Sequence, residues 1–257
     1  CQLQLLAEAA QRTRARRLSA GAVVLQQAEV KIRVTEEGEI LVRKLDVSAP
    51  SRELVAEMMI ATGGQMGQFC WRAGVAAVYR FQEGPEEPIP YDPQKARDPK
   101  WVLDSLMRMR RAELSSEPRR HYGLGLDAYI QVTSPIRRYQ DLAMHAQLKG
   151  YLRTGVAPLG QREVLDVFAE VESTAYTFTR MERDAKRYWI IRWLESRIGT
   201  AWRAVVIRPA GPRWNILVPD LGIQESAAVS RNVEPGDWIE VVVKLADARR
   251  DRLLFEA

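Results

Sequence analysis

The sequence predicts an α+β protein: a mixed helix and sheet portion over residues 1–198, then a small five-stranded β-barrel over residues 199–257. Three observations predict it. Stretches of helical length with apolar residues at 3.6-residue spacing run between short strand patterns through the first portion. From Gly199 the pattern changes to short strands alone, AWRAVVIRP, RWNILVPD and PGDWIEVVVKLADARRDRLLFEA, divided by the turns Pro209-Ala210-Gly211-Pro212 and Glu234-Pro235-Gly236. A chain of 257 residues can also bury a substantial core, in one large or two smaller domains.

Taken in order, residues 2–18 read as a helix with Leu3, Leu6, Ala10 and Thr13 on one side. Its arginine-rich end, RTRARR, suits the negative pole of the helix dipole and reads as a solvated terminus. AEVKIRV and ILVRKLDV alternate around Glu36-Glu37-Gly38, which signals a hairpin. Pro50-Ser51 then opens a helix carrying SRELVAEMMIATGGQMGQFCWR. Paired glycines inside a helix cost about 1 kcal/mol each, so at Gly63-Gly64 either the helix breaks or another backbone approaches closely. Between Gly74 and Pro99 the chain is a loop region rich in Pro, Gly and Glu with one short strand, AAVYRF. Residues 100–113 form a short helix with Trp101, Leu103, Leu106 and Met107 as core.

Residues 121–152, HYGLGLDAYIQVTSPIRRYQDLAMHAQLKGYL, carry the densest set of local conflicts. Gly123 and Gly125 followed by the alternating AYIQV read as a strand, and Thr133-Ser134-Pro135 reads as a helix start with a hydroxyl cap and proline at the first position. That helix runs to about Gly150 or Gly155. Arg137 and Arg138 in its first turn put two cations at the positive pole of the dipole, a cost of about 0.3–1 kcal/mol each unless an anion is near. A phosphate on the free N–H groups, gripped by guanidinium, turns that cost into binding. Asp141 is placed to orient one of the two guanidinium groups. The bland alternative is a Ser-Pro helix start with both arginines on a solvated face.

The longest helical signal is Arg162 to Ile198, one bent helix or two, with no Pro or Gly inside. Phe168, Val171, Ala175, Phe178, Ala185 and Trp189 keep helical spacing, and Glu182 fills the gap in that stripe. An inward carboxylate needs a partner, and Lys186, four residues on, is the local one. In the last portion, about five short strands suit an OB-fold barrel. Trp202 and Trp238 read as core, while Arg213-Trp214 beside a turn is the better base-stacking candidate.

Charge narrows the partner. The net charge is +5, and residues 119–153 alone hold six basic against two acidic side chains. The last 59 residues hold eight of each and have no electrostatic footprint of their own. No apolar run is long enough to span a bilayer. The chain lacks a start methionine and signal-like segments and reads as a fragment of a longer protein. Cys1 and Cys70 make neither a disulfide framework nor a CxxC metal site, so a reducing, cytoplasmic setting is expected. No two aspartates fall within three residues of each other, and neither His121 nor His145 has a metal-type partner spacing. On the residues alone, both read as satisfied interior or surface imidazoles.

HYGLGLDAYIQVTSPIRRYQDL closely resembles the signature of the ribonuclease II family (RNB domain), in which a histidine, a Gly-Leu-Gly stretch and TSPIRRY-x-D recur in this order. RMERDAKRYW is similar to that family's RMAERD-type helix, one residue shorter before the glutamate, and YRF-x-x-x-P echoes its YR-x-H-x-x-P with Gln82 as a departure. The GD-W-I-x-V-x-V stretch resembles the RNA-binding OB domain that ends ribonuclease II chains.

The resemblance implies the C-terminal part of an RNB catalytic domain (1–198) followed by an OB-fold RNA-binding domain (199–257). It implies a processive, Mg²⁺-dependent 3′→5′ exoribonuclease that acts as a monomer on single-stranded RNA and releases nucleoside 5′-monophosphates. The metal-binding aspartates are expected upstream. Arg137 would stabilise charge on the scissile phosphate, and Glu182 would orient water or the departing nucleotide. Thr133, Ser134, Arg138, Tyr139, His121 and Glu57 would bind RNA, with Arg213 and Trp214 on the barrel. Ala56-Glu57 stands where the family has two consecutive glutamates, and Leu25 where ribonuclease II has a stacking aromatic, which predicts weaker reading of sugar and base. The alternative is a non-catalytic RNA-binding protein that keeps the cleft without the metal ligands.

Overall fold

A computed structural model describes residues 2–230 and 232–257, without the Ser173 side chain. Cys1 lies outside the described residues. The order is α1 (Gln2–Ser19), β1 (Glu29–Val34), β2 (Ile40–Leu45), α2 (Pro50–Ala73), β3 (Tyr79–Phe81), α3 (Pro99–Arg108), β4 (Glu113–Ser115), α4 (Tyr139–Thr154) and α5 (Gln161–Leu194). Strands β5 (Ala201–Ala210), β6 (Arg213–Val218), β7 (Ile223–Ala228), β8 (Trp238–Asp247) and β9 (Arg252–Glu256) follow. The fold is mixed helix and sheet with a closed five-stranded barrel, as expected.

Two compact units share these elements. The first takes residues 1–25, 48–96 and 105–177; the second takes 26–47, 97–104 and 178–257.

In the first unit, α2 runs unbroken through Gly63-Gly64, because the glycines make room for another backbone. A Cβ on Gly63 would meet the Tyr129 ring and stand 2.7 Å from the Ile130 carbonyl, and one on Gly67 would stand 3.3 Å from the Tyr129 nitrogen. The Ile130 N–H donates to the Gly63 carbonyl at 3.2 Å. The expected strand 128–132 is therefore an extended segment with only an isolated bridge, Tyr79 to Ile130; one of its edges lies on a helix. Its alternation survives: Ala128, Ile130 and Val132 are buried with Cys70, Val78, Tyr79, Met144 and Phe168. Burial raises the Cys70 thiol to about 11. Gly123 lies in a 3-10 turn (Tyr122–Leu124) that Gly125 ends in the left-handed conformation.

Two other expectations change here. The RTRARR end of α1 is not simply solvated, because Arg17 is buried and Arg14 pairs with Glu53. In α3, which begins in the second unit, Val102 and Ser105, three apart, are the buried side, while Leu106 and Met107 face outward and Trp101 and Leu103 are half-buried.

In the second unit, β1 and β2 pair antiparallel from Glu29–Leu45 to Val34–Ile40, the expected hairpin. The barrel order is β5-β6-β7-β9-β8 with β8 closing onto β5; β7 and β9 are parallel and the other neighbours antiparallel. Its core joins Val206, Ile216, Val241 and Phe255 with Ile190, Ile191 and Leu194 from the end of α5. Trp202 packs against this core and edge-on to Trp193, but Trp238 is surface-exposed beneath the Arg203 guanidinium at 4.5 Å. The side chain of the first residue of β8 thus faces outward from the barrel wall, in which its backbone pairs with Val205.

α5 is one helix, yet its expected apolar stripe does not hold throughout. Phe168 is buried, Val171, Ala175 and Trp189 are half-buried, and Phe178 and Ala185 are exposed.

Candidate functional site

The turn before α4 is built by a carboxylate inside the helix. Asp141 is 0 % exposed, and its Oδ2 accepts both the Ser134 N–H at 2.8 Å and Arg138 Nη2 at 2.7 Å. Held this way, Ser134 to Arg138 close a turn in which the Arg137 and Arg138 N–H groups donate to the Ser134 carbonyl at 3.2 and 3.0 Å. The helix therefore starts at Tyr139 with an extended Arg138 as its cap, not at Thr133-Ser134-Pro135. Asp141, not an arginine, occupies the first helical turn, where a negative charge is favoured.

This geometry divides the two arginines. Arg138 is committed to Asp141. Arg137 projects from the turn beside fully exposed Ile136, and its guanidinium makes no hydrogen bond or ion pair among the described residues. Tyr139 is exposed next to it, and Thr133 and Ser134 are half-buried. A cation held on a fixed turn without a partner can receive an anion.

Behind the turn, His121 stands edge-on to Tyr129, with ring centroids 5.8 Å apart. Burial, with the Arg80 charge beside it, lowers His121 to about 4. Burial raises the Tyr129 phenol, Arg138 opposes that, and Asp141 adds to it. His145 is a satisfied imidazole, its Nε2 donating to the Val132 carbonyl at 2.6 Å. Gln82 locks the segment before the turn. Its Oε1 accepts the Gly123 N–H at 2.9 Å, and its Nε2 donates to the Arg110 carbonyl at 2.7 Å.

Other expected site residues are placed differently. Glu57 is 4 % exposed and both its oxygens are taken by Arg17, so it has no carboxylate face to offer RNA directly. Ala56 beside it is exposed, and Leu25 is half-buried. Glu182 is not inward: its side chain is 67 % exposed and pairs with Lys186 at 2.8 Å, because the middle of α5 lies on the surface. Arg213 is tied to Ser226, donating to its hydroxyl at 3.1 Å and its carbonyl at 2.8 Å. Trp214 packs half-buried against the barrel core. Among the described residues no three His, Cys, Asp or Glu side chains could together hold a metal ion, so they do not themselves make a magnesium site.

The RNB domain model matches residues 1–98 and 94–154, more than half of the chain and all of the turn. The chain belongs to the RNB family. It is 36 % identical to the uncharacterized ribonuclease sll1290 of Synechocystis, over 99 % of this chain and 39 % of that protein. It is 32 % identical to the chloroplastic/mitochondrial ribonuclease II of Arabidopsis thaliana, over 99 % of this chain and 33 % of that protein. The chain thus spans between a third and two fifths of the length of these RNB relatives.

Solved structures share the fold. The Dss1 exoribonuclease of Candida glabrata superposes with a TM-score of 0.83 at 21 % identity, over 100 % of this chain and 35 % of that one. Mycoplasma genitalium RNase R, in complex with ribose-methylated single-stranded RNA, gives 0.80 at 16 % identity, over 99 % and 49 %. Yeast Ssd1, described as a pseudonuclease, gives 0.62 at 17 % identity, over 88 % and 33 %. No described helix is long and apolar enough to cross a membrane.

Arg80, Gln82 and Tyr129 were not among the expected site residues. Only the YR-x-H-x-x-P echo pointed at Arg80 and Gln82, and the pairing of Arg80 with the Tyr129 backbone joins segments nearly fifty residues apart, which no local pattern reveals.

Proposed function

We propose that the protein carrying this chain is a processive 3′→5′ exoribonuclease that hydrolyses single-stranded RNA to nucleoside 5′-monophosphates. Residues 1–198 form the C-terminal part of its catalytic domain, and 199–257 an OB-fold that binds RNA. The protein acts as a monomer in the cytoplasm. Its magnesium ions are held by residues outside this chain.

The observation that supports this reading best is the turn Ser134–Arg138 within the RNB match, whose Arg137 guanidinium has no partner among the described residues. Arg137 donates to the scissile phosphate and stabilises the charge that develops there. Tyr139, Thr133 and Ser134 position the strand around it, and Arg138 and Glu57 act through the residues they hold in place. Glu182, exposed and on a separate segment, orients water or the leaving nucleotide.

A second reading, an RNA-binding protein without catalysis, is favoured by a fold likeness to a pseudonuclease. Digestion of 5′-labelled single-stranded RNA by the full-length protein, with and without magnesium, separates the two. A ladder that shortens from the 3′ end only with magnesium supports the exonuclease; RNA bound and left intact supports the second.

A further inference from the structure

Four buried side-chain polar atoms among the described residues lack a hydrogen-bond partner, and all four belong to one cluster in the first unit: Arg80 Nε, His121 Nδ1, Arg138 Nε and Asp141 Oδ1. Buried polar groups are nearly always satisfied, so four orphans in one place call for an explanation. The backbone shows how they come together. Ala128, Ile130 and Val132 point into the core, which turns Tyr129 to the opposite side. The Arg80 N–H donates to the Tyr129 carbonyl at 2.9 Å, and because Tyr79 is buried in the core, Arg80 shares the side of Tyr129. His121 is edge-on to that ring, and Tyr129 feels the charges of Arg138, Asp141 and Arg80.

Of the two guanidinium groups in the cluster, only Arg80 lacks a close counter-ion. Asp141 is used by Arg138 and the Ser134 N–H. The Arg80 ion pair with Glu172 is a loose one, 3.8 Å to a side chain that is itself 59 % exposed. The Arg80 and Arg138 side chains are 29 % and 22 % exposed, with the Nε atom of each buried. The Arg80 guanidinium, the Tyr129 phenol and the His121 imidazole come together from different segments, a donor set that suits an oxyanion such as phosphate.

We propose that Arg80, Tyr129 and His121 form a site for a backbone phosphate of single-stranded RNA, anchored by Arg80 and separate from the phosphate that Arg137 meets, while Arg138 stays paired with Asp141 beside it. The site rests on the RNA reading above and adds Arg80 and Tyr129 to it. An anion here also draws a proton toward the buried His121.

The test is fluorescence anisotropy of a 5′-fluorescein oligoadenylate against the protein and its Arg80→Gln, Arg80→Lys and Arg137→Gln variants over a range of salt, with melting temperatures measured alongside. Arg80→Gln is expected to bind about tenfold more weakly, the loss of one charge-assisted contact, and to lower the salt slope by about 0.7; Arg80→Lys keeps the slope. An Arg80→Gln protein with parental affinity and slope, when the parent itself binds RNA, overturns the site and leaves the RNA reading standing. Absence of RNA binding by the parent overturns both. A measurement independent of any variant's folding is the NMR spectrum of the parent's histidines, read at His121 and His145. RNA is expected to move the His121 resonances and not those of His145, and unmoved His121 resonances at saturation overturn the proposal.

Discussion

Arg17 near the end of α1 and Glu57 in α2 form a two-pronged ion pair out of water, with Nε donating to Oε2 at 3.0 Å and Nη2 donating to Oε1. The remaining Arg17 contact, Nη1 to the Leu124 carbonyl at 2.9 Å, ties both helices to the glycine turn before the site. Removing one partner leaves a buried charge alone, which costs about 3–5 kcal/mol, whereas replacing both by apolar groups costs far less. Arg17→Met is expected to lower the urea midpoint sharply, and Arg17→Met with Glu57→Met to recover most of it. Losses that simply add would show that the two side chains do not act as a pair.

His121 gives stability a pH dependence whose direction follows from its environment. The folded state keeps the ring neutral down to about 4, while the unfolded chain takes up the proton near the ordinary 6.5. Between those values the unfolded state binds more protons, so this contribution is full above 6.5 and is lost as the pH falls toward 4. Urea midpoints across that window are expected to fall less steeply in His121→Gln than in the parent.

Gly63 reverses the usual effect of replacing a helical glycine. Alanine in a helix interior gains about 1 kcal/mol over glycine, but a Cβ here meets the Tyr129 ring and the Ile130 carbonyl. A backbone oxygen cannot turn aside as a side chain can, so Gly63→Ala is expected to destabilise by about 1–3 kcal/mol net. Gly64→Ala, whose nearest neighbour is the Leu126 side chain at 3.2 Å, should cost less. Equal effects in denaturant titrations would count against the close backbone approach as the cause.

Much of the fold was legible where pattern and propensity agree. Alternation marked the β1–β2 hairpin, and Pro50-Ser51 marked the start of α2. β7, Ile223–Ala228, escaped because IQESAA carries little apolar alternation; it is a strand because β6 and β9 flank it. The site was read in part. TSPIRRY was recognised, but Ser134-Pro135 looked like a helix start because nothing local says that Asp141 reaches back to hold the turn open. Spacing marked Glu182 as interior because the stripe rule assumes a covered helix, and the middle of α5 is exposed. The Arg17–Glu57 pair and the Arg80–Tyr129 contact depend on segments brought together by folding, so neither leaves a local trace.

Ala56 and Glu57 together bear on the sugar. Ala56 is exposed and carries no acceptor, and the Glu57 carboxylate is occupied by Arg17, so this part of α2 presents no carboxylate to a ribose hydroxyl. Stalling at single 2′-deoxy nucleotides near the 3′ end is expected to be weak in the parent protein and sharper in Ala56→Glu. If both stall alike, position 56 does not read the sugar.

Arg137 and Arg138 are adjacent in sequence and opposite in consequence. Arg138 neutralises a fully buried Asp141, so Arg138→Ala leaves that carboxylate uncompensated and also loosens the Ser134 turn it holds; a loss of about 3 kcal/mol or more is expected. Arg137 has no such partner, and surface substitutions of that kind change stability by about 0.5 kcal/mol or less. Arg137→Ala should therefore melt like the parent. If the full-length protein is the exoribonuclease proposed, Arg137→Ala should lose much more in kcat than in RNA affinity, since a guanidinium aimed at developing phosphate charge acts more strongly in the transition state than on bound substrate. Melting curves and single-turnover digestion of the two variants measure this directly. If Arg137→Ala loses rate and affinity in equal measure, Arg137 is a binding residue alone, and if Arg138→Ala melts like the parent, Asp141 does not depend on its partner to hold the turn.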